Sequence, residues 1–180
     1  MDELVDVVNE NDKVISQKSI LGCHANRILH RAVNILVFRD VSLQDILIQE
    51  RSMQKFVLPG KFEFTGGHLE MGETYLDGAK RELQEELFHN QKLPDMKFER
   101  LFKIKKDADA DYEFMTVYSV IYSSKFNLNP DEVADYRFEN IGNLMGKIKS
   151  NPDEYTGTCR LMLEEYFKRY LYIDKDSIIL

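Results

Sequence analysis

Apolar residues recur in short blocks along the chain, and their spacing predicts a mixture of strands and helices. Two β-rich runs, 4–8 and 13–20, flank the turn-forming sequence Asn9-Glu10-Asn11-Asp12, which predicts an N-terminal β-hairpin over residues 4–20. A run rich in Val and Ile at 32–38 predicts a buried strand. Further strands are predicted at 46–49, at 62–64 before the glycine pair Gly66-Gly67, and at 112–123.

Helical spacing appears in the second half of the chain. Leu76, Ala79, Leu83 and Leu87 form one apolar stripe, which predicts a helix from Thr74 to about His89 with Thr74 as its N-cap. Two more helices are predicted at 141–150 and 158–172. This irregular alternation of strands and helices predicts one domain in which helices pack on a mixed sheet.

The composition of the chain limits the classes of protein to which it can belong. The chain has 180 residues, 43% of them apolar, and a formal charge of −7, which predicts a single domain and disfavours nucleic acid as a partner. No apolar run approaches the roughly 20 residues of a membrane helix, so no membrane contact is expected. The opening Met1-Asp2-Glu3 does not resemble a secretory signal, and Cys23 and Cys159 have no metal or redox spacing. A cytoplasmic location with reduced thiols is therefore expected.

Three glutamates share one face of the helix predicted near residue 80. Glu82, Glu85 and Glu86 stand at i, i+3 and i+4, where like charges repel. Mg²⁺ turns that repulsion into attraction because it prefers oxygen ligands. A solvated acidic face is the alternative, and it is the usual role of a charge run. The Gly66-Gly67 pair upstream favours a site, because glycine lets a ligand approach the backbone closely.

The residues around this helix resemble the Nudix box. Gly67, Glu73 and the segment Arg81-Glu82-Leu83-Gln84-Glu85-Glu86 stand at the family's spacing, in a box that spans 67–89. The resemblance implies the Nudix fold, an α+β protein built as an α/β/α sandwich, with the mixed β-sheet between helices and the box as loop-helix-loop. It implies one domain over residues 1–180, with a core of about 28–172.

Two positions at the end of the box depart from the family pattern. Phe88 and His89 stand where the family has glycine and an aliphatic residue. The family glycine supplies a left-handed helix terminus. Asn90 tolerates that conformation better than most residues, so the helix is expected to end there.

The resemblance also implies an activity, the hydrolysis of a nucleoside diphosphate linked to another group. Mg²⁺ (or Mn²⁺) is the implied cofactor, and the implied metal ligands are Glu82, Glu85, Glu86 and the backbone carbonyl of Gly66. The general base varies among relatives, which leaves Glu82, Glu85 or Glu113 for that role. The implied partner is a small nucleotide or diphosphate substrate, and because relatives often pair, a homodimer is expected.

Three box residues are implied to be structural. Arg81 paired with Glu73 would pin the loop to the helix and hold the carboxylates in place. Gly67 opens the box.

A second resemblance covers about residues 5–170 and is to the type I isopentenyl diphosphate isomerases and the hydrolases grouped with them. It implies that Arg51 and Lys55 hold a diphosphate. It also implies a second metal site of three histidines and two carboxylates, suited to Zn²⁺ or Mn²⁺: His24, His30, His68, Asp111 and Glu113.

Isomerase chemistry itself fits the sequence less well. The isomerases move a proton with a cysteine immediately before the Gly-His pair, where this chain has Gly66, and they place an arginine where Glu82 stands. A hydrolase on an isomerase-like scaffold is therefore predicted. An isomerase with a displaced proton donor and a non-catalytic nucleotide-binding regulator are the alternatives.

Overall fold

A computed structural model describes residues 3–107 and 112–171. The strands in chain order are β1 Leu4–Val8, β2 Val14–Ser19, β3 His30–Phe38, β4 Asp45–Arg51, β5 Phe62–Glu63, β6 Thr65–His68, β7 Glu99–Asp107, β8 Tyr112–Ile121 and β9 Val133–Asn140. The α-helices are α1 Ile20–Ala25, α2 Tyr75–Leu87, α3 Ile141–Ser150 and α4 Gly157–Tyr166. A 3₁₀ turn, Pro152–Glu154, precedes α4, and a π-helical turn, Phe167–Leu171, follows it.

The main sheet is mixed, with the order β5-β4-β3-β8-β7. The central strands β3 and β8 run parallel, whereas the other pairings are antiparallel. β3 pairs with β4 only at Phe38↔Ile46 and then diverges from it, so that β6 lies beside β3 while β5 and β9 lie beside β4. Glu86 of α2 lies at this opening, because it accepts hydrogen bonds from Gln49 of β4 and Gly66 of β6.

Two apolar cores cover the two faces of the sheet, because side chains alternate along each strand. One core joins the sheet to α3 and α4, and its buried members include Leu36, Phe38, Leu144 and Met162. The other joins the sheet to α2, and its buried members include Val33, Ile35, Leu83 and Leu87. The predicted α/β/α sandwich is confirmed.

Several element boundaries differ from the expectation. Gly66 and Gly67 do not follow a strand but lie inside β6, paired with β3. The apolar run at 13–20 ends in helix α1, which begins at Ile20 because Ser19 caps it and accepts a hydrogen bond from the Gly22 backbone. Strands β7 and β9 were not predicted. In β7, charged residues surround a short apolar stretch, whereas residues 134–139 of β9 do alternate apolar and charged side chains. α4 ends at Tyr166, earlier than the predicted 172, which lies outside the described residues.

Within residues 3–107 and 112–171, none of the helices combines the length and hydropathy that crossing a bilayer requires.

Candidate active site

Helix α2 carries the box glutamates and is fixed at both ends. Thr74 Oγ1 accepts a hydrogen bond from the Asp77 backbone at 3.2 Å, which is the predicted N-cap. Phe88 follows the helix with a φ of −125°, so this position does not need the family glycine. Asn90 has a φ of 57° and supplies the left-handed residue two positions later.

Arg81 ties the loop to the helix with its whole guanidinium group. Its Nε and Nη2 donate to the Glu73 carboxylate at 2.8 and 3.0 Å, and Nη2 also donates to the His68 carbonyl at 2.8 Å. Its Nη1 donates to Glu82 Oε1 and to Glu85 Oε2, both at 2.9 Å. The Arg81 guanidinium group therefore orients two box glutamates and the strand that carries His68.

The three box glutamates differ in exposure. Glu86 is buried and accepts hydrogen bonds from Gln49 Nε2 at 2.9 Å and from the Gly66 backbone at 3.3 Å. The Glu82 side chain is 13% exposed, whereas that of Glu85 is 52% exposed. The helix thus turns Glu82 and Glu86 inward and leaves Glu85 at the rim.

A further carboxylate, Glu63 of β5, faces this pair. It lies opposite Gln49 in the β4–β5 pairing, and Arg51 Nη1 donates to its Oε1 at 2.6 Å. Burial raises the pKa of Glu63, against the opposing effect of Arg51. Burial and the charges of Glu82 and Glu63 raise the pKa of Glu86 well above its usual range. Burial likewise raises the pKa of Glu82 to about 7.

The glycine pair of β6 lies directly against these carboxylates. A Cβ added to Gly67 would lie 2.5 Å from Glu82 Oε1. Gly66 has a φ of +150°, and a Cβ there would lie 2.2 Å from the carbonyl oxygen of Val33. Only glycine fits at either position without rearrangement, so bare backbone faces the acidic groups.

Three histidines from three elements converge at the start of β3. The ligand-capable atoms of His24, His30 and His68 lie within 4.8 Å of one another, and the Nε2 atoms of His24 and His68 are 3.2 Å apart. His30 is fully buried, and its Nδ1 donates to the Ile28 carbonyl at 2.8 Å, which leaves the lone pair on Nε2. Among the described residues, His30 Nε2 has no hydrogen-bond partner. Burial lowers the pKa of His30, which favours the neutral ring.

Glu113 of β8 completes this histidine cluster. It lies opposite His30 of β3 and Lys106 of β7. Its Oε2 is 3.6 Å from the Nε2 atoms of both His30 and His68, and its Oε1 is 3.6 Å from Lys106 Nζ. Burial alone would raise the pKa of Glu113, but His68, Lys106 and His30 together lower it to about 2.

The spacing of these atoms suits one small cation. Ligands at about 2.0–2.1 Å from a tetrahedral Zn²⁺ stand roughly 3.3 Å from each other, close to the 3.2 Å that separates the His24 and His68 nitrogens. The unpartnered His30 nitrogen and the Glu113 carboxylate supply the other donors. Asp111, the fifth expected ligand, lies outside the described residues.

A cavity of about 900 Å³ lies beside both groups and is lined by His24, His68, Glu113, Glu63, Gly66 and Gly67 among others. Glu82 and Glu86 do not line it but lie behind Gly67 and Gly66. Arg51 and Lys55 also line it. Arg51 donates to Glu63 and to the Val57 carbonyl, and Lys55 contacts Glu132. The expectation that both cations hold a diphosphate stays a prediction, because each would have to exchange these partners for it.

Sequence reasoning missed four residues of this region. Glu63 and Lys106 are single residues inside strands and belong to no motif. Only Glu63 left a signal, because it is a charge between the alternating aromatics of a predicted strand. Gln49 stands close to Arg51 in a stretch that resembles the isomerases, but the resemblance gave it no role. Phe56 lines the mouth of the cavity with its side chain 99% exposed, and nothing in the spacing marks it.

Comparisons with known proteins show what the chain is similar to. The NUDIX domain family matches residues 28–160. An isopentenyl-diphosphate Delta-isomerase of Pectobacterium atrosepticum is 29% identical over 157 residues, which are 86% of each chain. An uncharacterized Nudix hydrolase of Streptomyces coelicolor is 33% identical over 165 residues, 89% of this chain and 88% of that one. The crystal structure of DR0079 from Deinococcus radiodurans shares the fold, with a TM-score of 0.74 and 22% identity over 93% of this chain and 99% of that one.

Proposed function

Because the chain belongs to the Nudix family, we propose that it hydrolyses the diphosphate linkage of a nucleoside diphosphate derivative with Mg²⁺ or Mn²⁺. The family and its hydrolase members indicate a pyrophosphohydrolase, in agreement with the resemblance of the box. One observation carries the metal dependence. Glu82 and Glu86 are turned inward against the bare backbone of Gly66 and Gly67, beside a cavity of substrate size.

The chemistry of the donor set fits a hard divalent cation. The hydrogen bonds that Glu86 accepts within the described residues come from neutral groups, the Gln49 amide and the Gly66 N–H. A buried carboxylate that only neutral donors satisfy is costly when ionised. A cation beside Glu86 and Glu82 removes that cost, and carboxylate and carbonyl oxygens are the ligands that Mg²⁺ prefers.

The proposed roles follow from exposure and from hydrogen bonds already made. Glu86, Glu82 and the Gly66 carbonyl would hold the metal, and Glu85 would complete the set from the rim. A bound divalent cation would supply charge neutralisation for the diphosphate and activation of the attacking water. For the general base we favour Glu82, because its Oε1 already accepts from Arg81, which leaves Oε2 as the oxygen that would take the proton of the attacking water.

Glu113 is the weaker candidate for the base. Its pKa of about 2 makes the carboxylate a poor proton acceptor. Its contacts with His30 and His68 suit a ligand of Zn²⁺ or Mn²⁺ instead. We propose that this histidine cluster is a second metal centre of the same cavity.

A substrate screen tests the proposed function. Dinucleotides, nucleotide sugars and nucleoside triphosphates are incubated with the full chain and Mg²⁺ or Mn²⁺, with and without EDTA, and the products are identified. Metal-dependent release of a mononucleotide or phosphate is the expected result. Measurable nucleotide binding without turnover over the whole panel would favour the non-catalytic regulator instead.

The histidine cluster also favours a second candidate function, an isopentenyl diphosphate isomerase with a displaced proton donor. Cys159 lines the cavity, but burial raises the pKa of its thiol, which makes proton exchange at neutral pH slow. A cysteine at position 66 would place its Cβ 2.2 Å from the Val33 carbonyl oxygen. Incubation with isopentenyl diphosphate, with the product identified by NMR, decides between the two activities.

A further inference from the structure

A chain of hydrogen bonds between buried side chains leads to the acidic centre, which is formed by Glu63, Glu82 and Glu86. Thr65 of β6 and Gln49 of β4 are both fully buried. Thr65 Oγ1 donates to Gln49 Oε1 at 2.9 Å, and Gln49 Nε2 donates to Glu86 Oε2 at 2.9 Å. The Glu86 carboxylate fixes which end of the amide faces it, because a carboxylate only accepts and only the NH₂ end can donate. The Thr65 hydroxyl then satisfies the carbonyl end and holds the amide in place.

The same amide also serves a second carboxylate. Gln49 and Glu63 are cross-strand partners in β4 and β5, so their side chains lie on the same face of the sheet. Burial raises the pKa of Glu63, and the Gln49 amide opposes that effect. An NH₂ group has two hydrogens, so one amide can hold two acidic side chains that come from different elements. With the amide reversed, its carbonyl oxygen would face two carboxylates and repel both.

A neutral donor is the chemistry that a cation site needs at this position. A lysine or arginine at position 49 would neutralise Glu86 and compete with a metal ion for it. A leucine would remove the side-chain donor and leave Glu86 Oε2 with the longer hydrogen bond from the Gly66 N–H. Glutamine holds the oxygen in place and leaves the negative charge available to the cation.

We propose that Gln49 is a positioning residue of the acidic metal centre and that the Thr65 hydroxyl anchors its amide. This inference rests on the proposed function, because it assigns a purpose to residues that touch neither substrate nor cation. Outer partners of metal ligands typically change metal affinity by 10–100-fold when they are removed. Loss of the Thr65 hydroxyl should therefore weaken Mg²⁺ binding by about tenfold, while the protein still folds.

Two threonine-to-valine variants provide a matched test. Thr65→Val removes the hydroxyl that anchors the Gln49 amide. Thr116→Val removes an equally buried hydroxyl of β8, which has no hydrogen-bond partner within the described residues. Mg²⁺ binding to the full chain is measured by calorimetry and by the rise in Tm, without substrate. Mg²⁺ is the probe because imidazole sites such as the histidine cluster bind it poorly.

The expected result is a roughly tenfold higher Mg²⁺ Kd for Thr65→Val and an unchanged Kd for Thr116→Val. Thr65→Ser, which restores the hydroxyl, should recover wild-type affinity. Equal affinities for the wild type, Thr65→Val and Thr116→Val would overturn the role of Thr65 and Gln49 but leave the proposed function standing. A wild-type protein that binds no Mg²⁺ at all would overturn both.

Discussion

His24 Nε2 lies 3.2 Å from His68 Nε2, although the two histidines are 44 residues apart in the sequence and belong to α1 and β6. Two imidazole nitrogens at this distance cannot both be protonated without repulsion. A ligand-capable nitrogen of His30 lies within 4.8 Å of those of His24 and His68. The lone pair of His30 Nε2 has no partner within the described residues. This convergence of nitrogen atoms supports the proposed second metal centre.

His24→Ala tests this centre directly. Removal of one ligand should weaken Zn²⁺ or Mn²⁺ binding by more than about a hundredfold, since even indirect partners of a metal are worth 10–100-fold. Calorimetry and metal content after dialysis measure the effect. His89→Ala is the matched control, because His89 is the remaining histidine and lies outside the cluster. Equal metal content in the two variants would contradict a histidine metal centre.

Glu86→Gln removes one charge at almost constant shape. If Glu86 is a metal ligand, kcat/KM of the metal-dependent hydrolysis should fall by about 10²–10³-fold, which corresponds to roughly 3–4 kcal/mol of transition-state stabilisation. Steady-state kinetics at saturating Mg²⁺ provide the measurement. Glu164→Gln on the exposed face of α4 should leave the rate unchanged. Full activity in Glu86→Gln would remove the mechanism.

The raised pKa of Glu82 predicts how metal-free stability depends on pH. This pKa is about 7 in the folded protein against a usual 4.5, so the folded state holds the proton more tightly than the unfolded state. The stabilisation is fully present below about pH 4.5 and is lost as pH rises through 7.

Urea unfolding in EDTA at several pH values measures this loss. Relative to Glu82→Gln, which does not titrate there, the wild type should lose on the order of 2 kcal/mol between about pH 5 and 8. Addition of Mg²⁺ should restore stability at pH 8. Parallel pH profiles for the two proteins would contradict the raised pKa.

The sequence predicts the box helix and its carboxylates well, because each signal is local. Thr74 caps the helix over a span of three residues, and Arg81 reaches Glu73 one loop away. The role of Gln49 could not be predicted, since its contacts with Glu86 and Thr65 depend on how β3 and β4 diverge. Non-local register of this kind leaves no periodic trace in the sequence.

The family resemblances extended what local signals could predict. They brought His24, His30 and His68 into one expected site, and the structure brings them together. Spacing alone would have treated each as an ordinary surface or packing residue. Strand β9 was missed although its residues 134–139 alternate apolar and charged side chains, and one of those charges, Glu139, is buried.

Gly66→Cys places the isomerase residue in this chain. The Cβ would meet the Val33 carbonyl oxygen at 2.2 Å in a backbone conformation with a φ of +150°, so we expect destabilisation of at least about 2 kcal/mol and no gain of isomerase activity. Thermal unfolding and an isopentenyl diphosphate assay check both expectations. Gly146→Cys is the control, because a Cβ on Gly146 meets no atom within 4 Å. Isomerase activity in Gly66→Cys would show that β6 can adopt the isomerase conformation.

Asp12 fastens the N-terminal hairpin to the rest of the protein. It lies in the β1–β2 turn with a φ of 56°, and its side chain accepts hydrogen bonds from Arg31 Nε at 2.7 Å and Tyr75 Oη at 3.1 Å and also contacts Lys103. Asp12→Asn keeps the tolerance of asparagine for left-handed backbone but removes the charge. We expect a loss of about 1–3 kcal/mol of unfolding free energy, since charge-assisted hydrogen bonds at a largely buried carboxylate are broken.

Asp45→Asn is the control for this prediction. Asp45 pairs with Arg39 at 3.2 Å, but the side chains are 40% and 44% exposed, whereas those of Asp12 and Arg31 are each 16% exposed. An exposed pair contributes about 0–1 kcal/mol, because water screens it. Urea unfolding of both variants at pH 7 should therefore separate them clearly. Equal losses would mean that the hairpin is held by the apolar contacts of Val5 and Val7 with Cys23, and that Asp12 contributes no more than a surface ion pair.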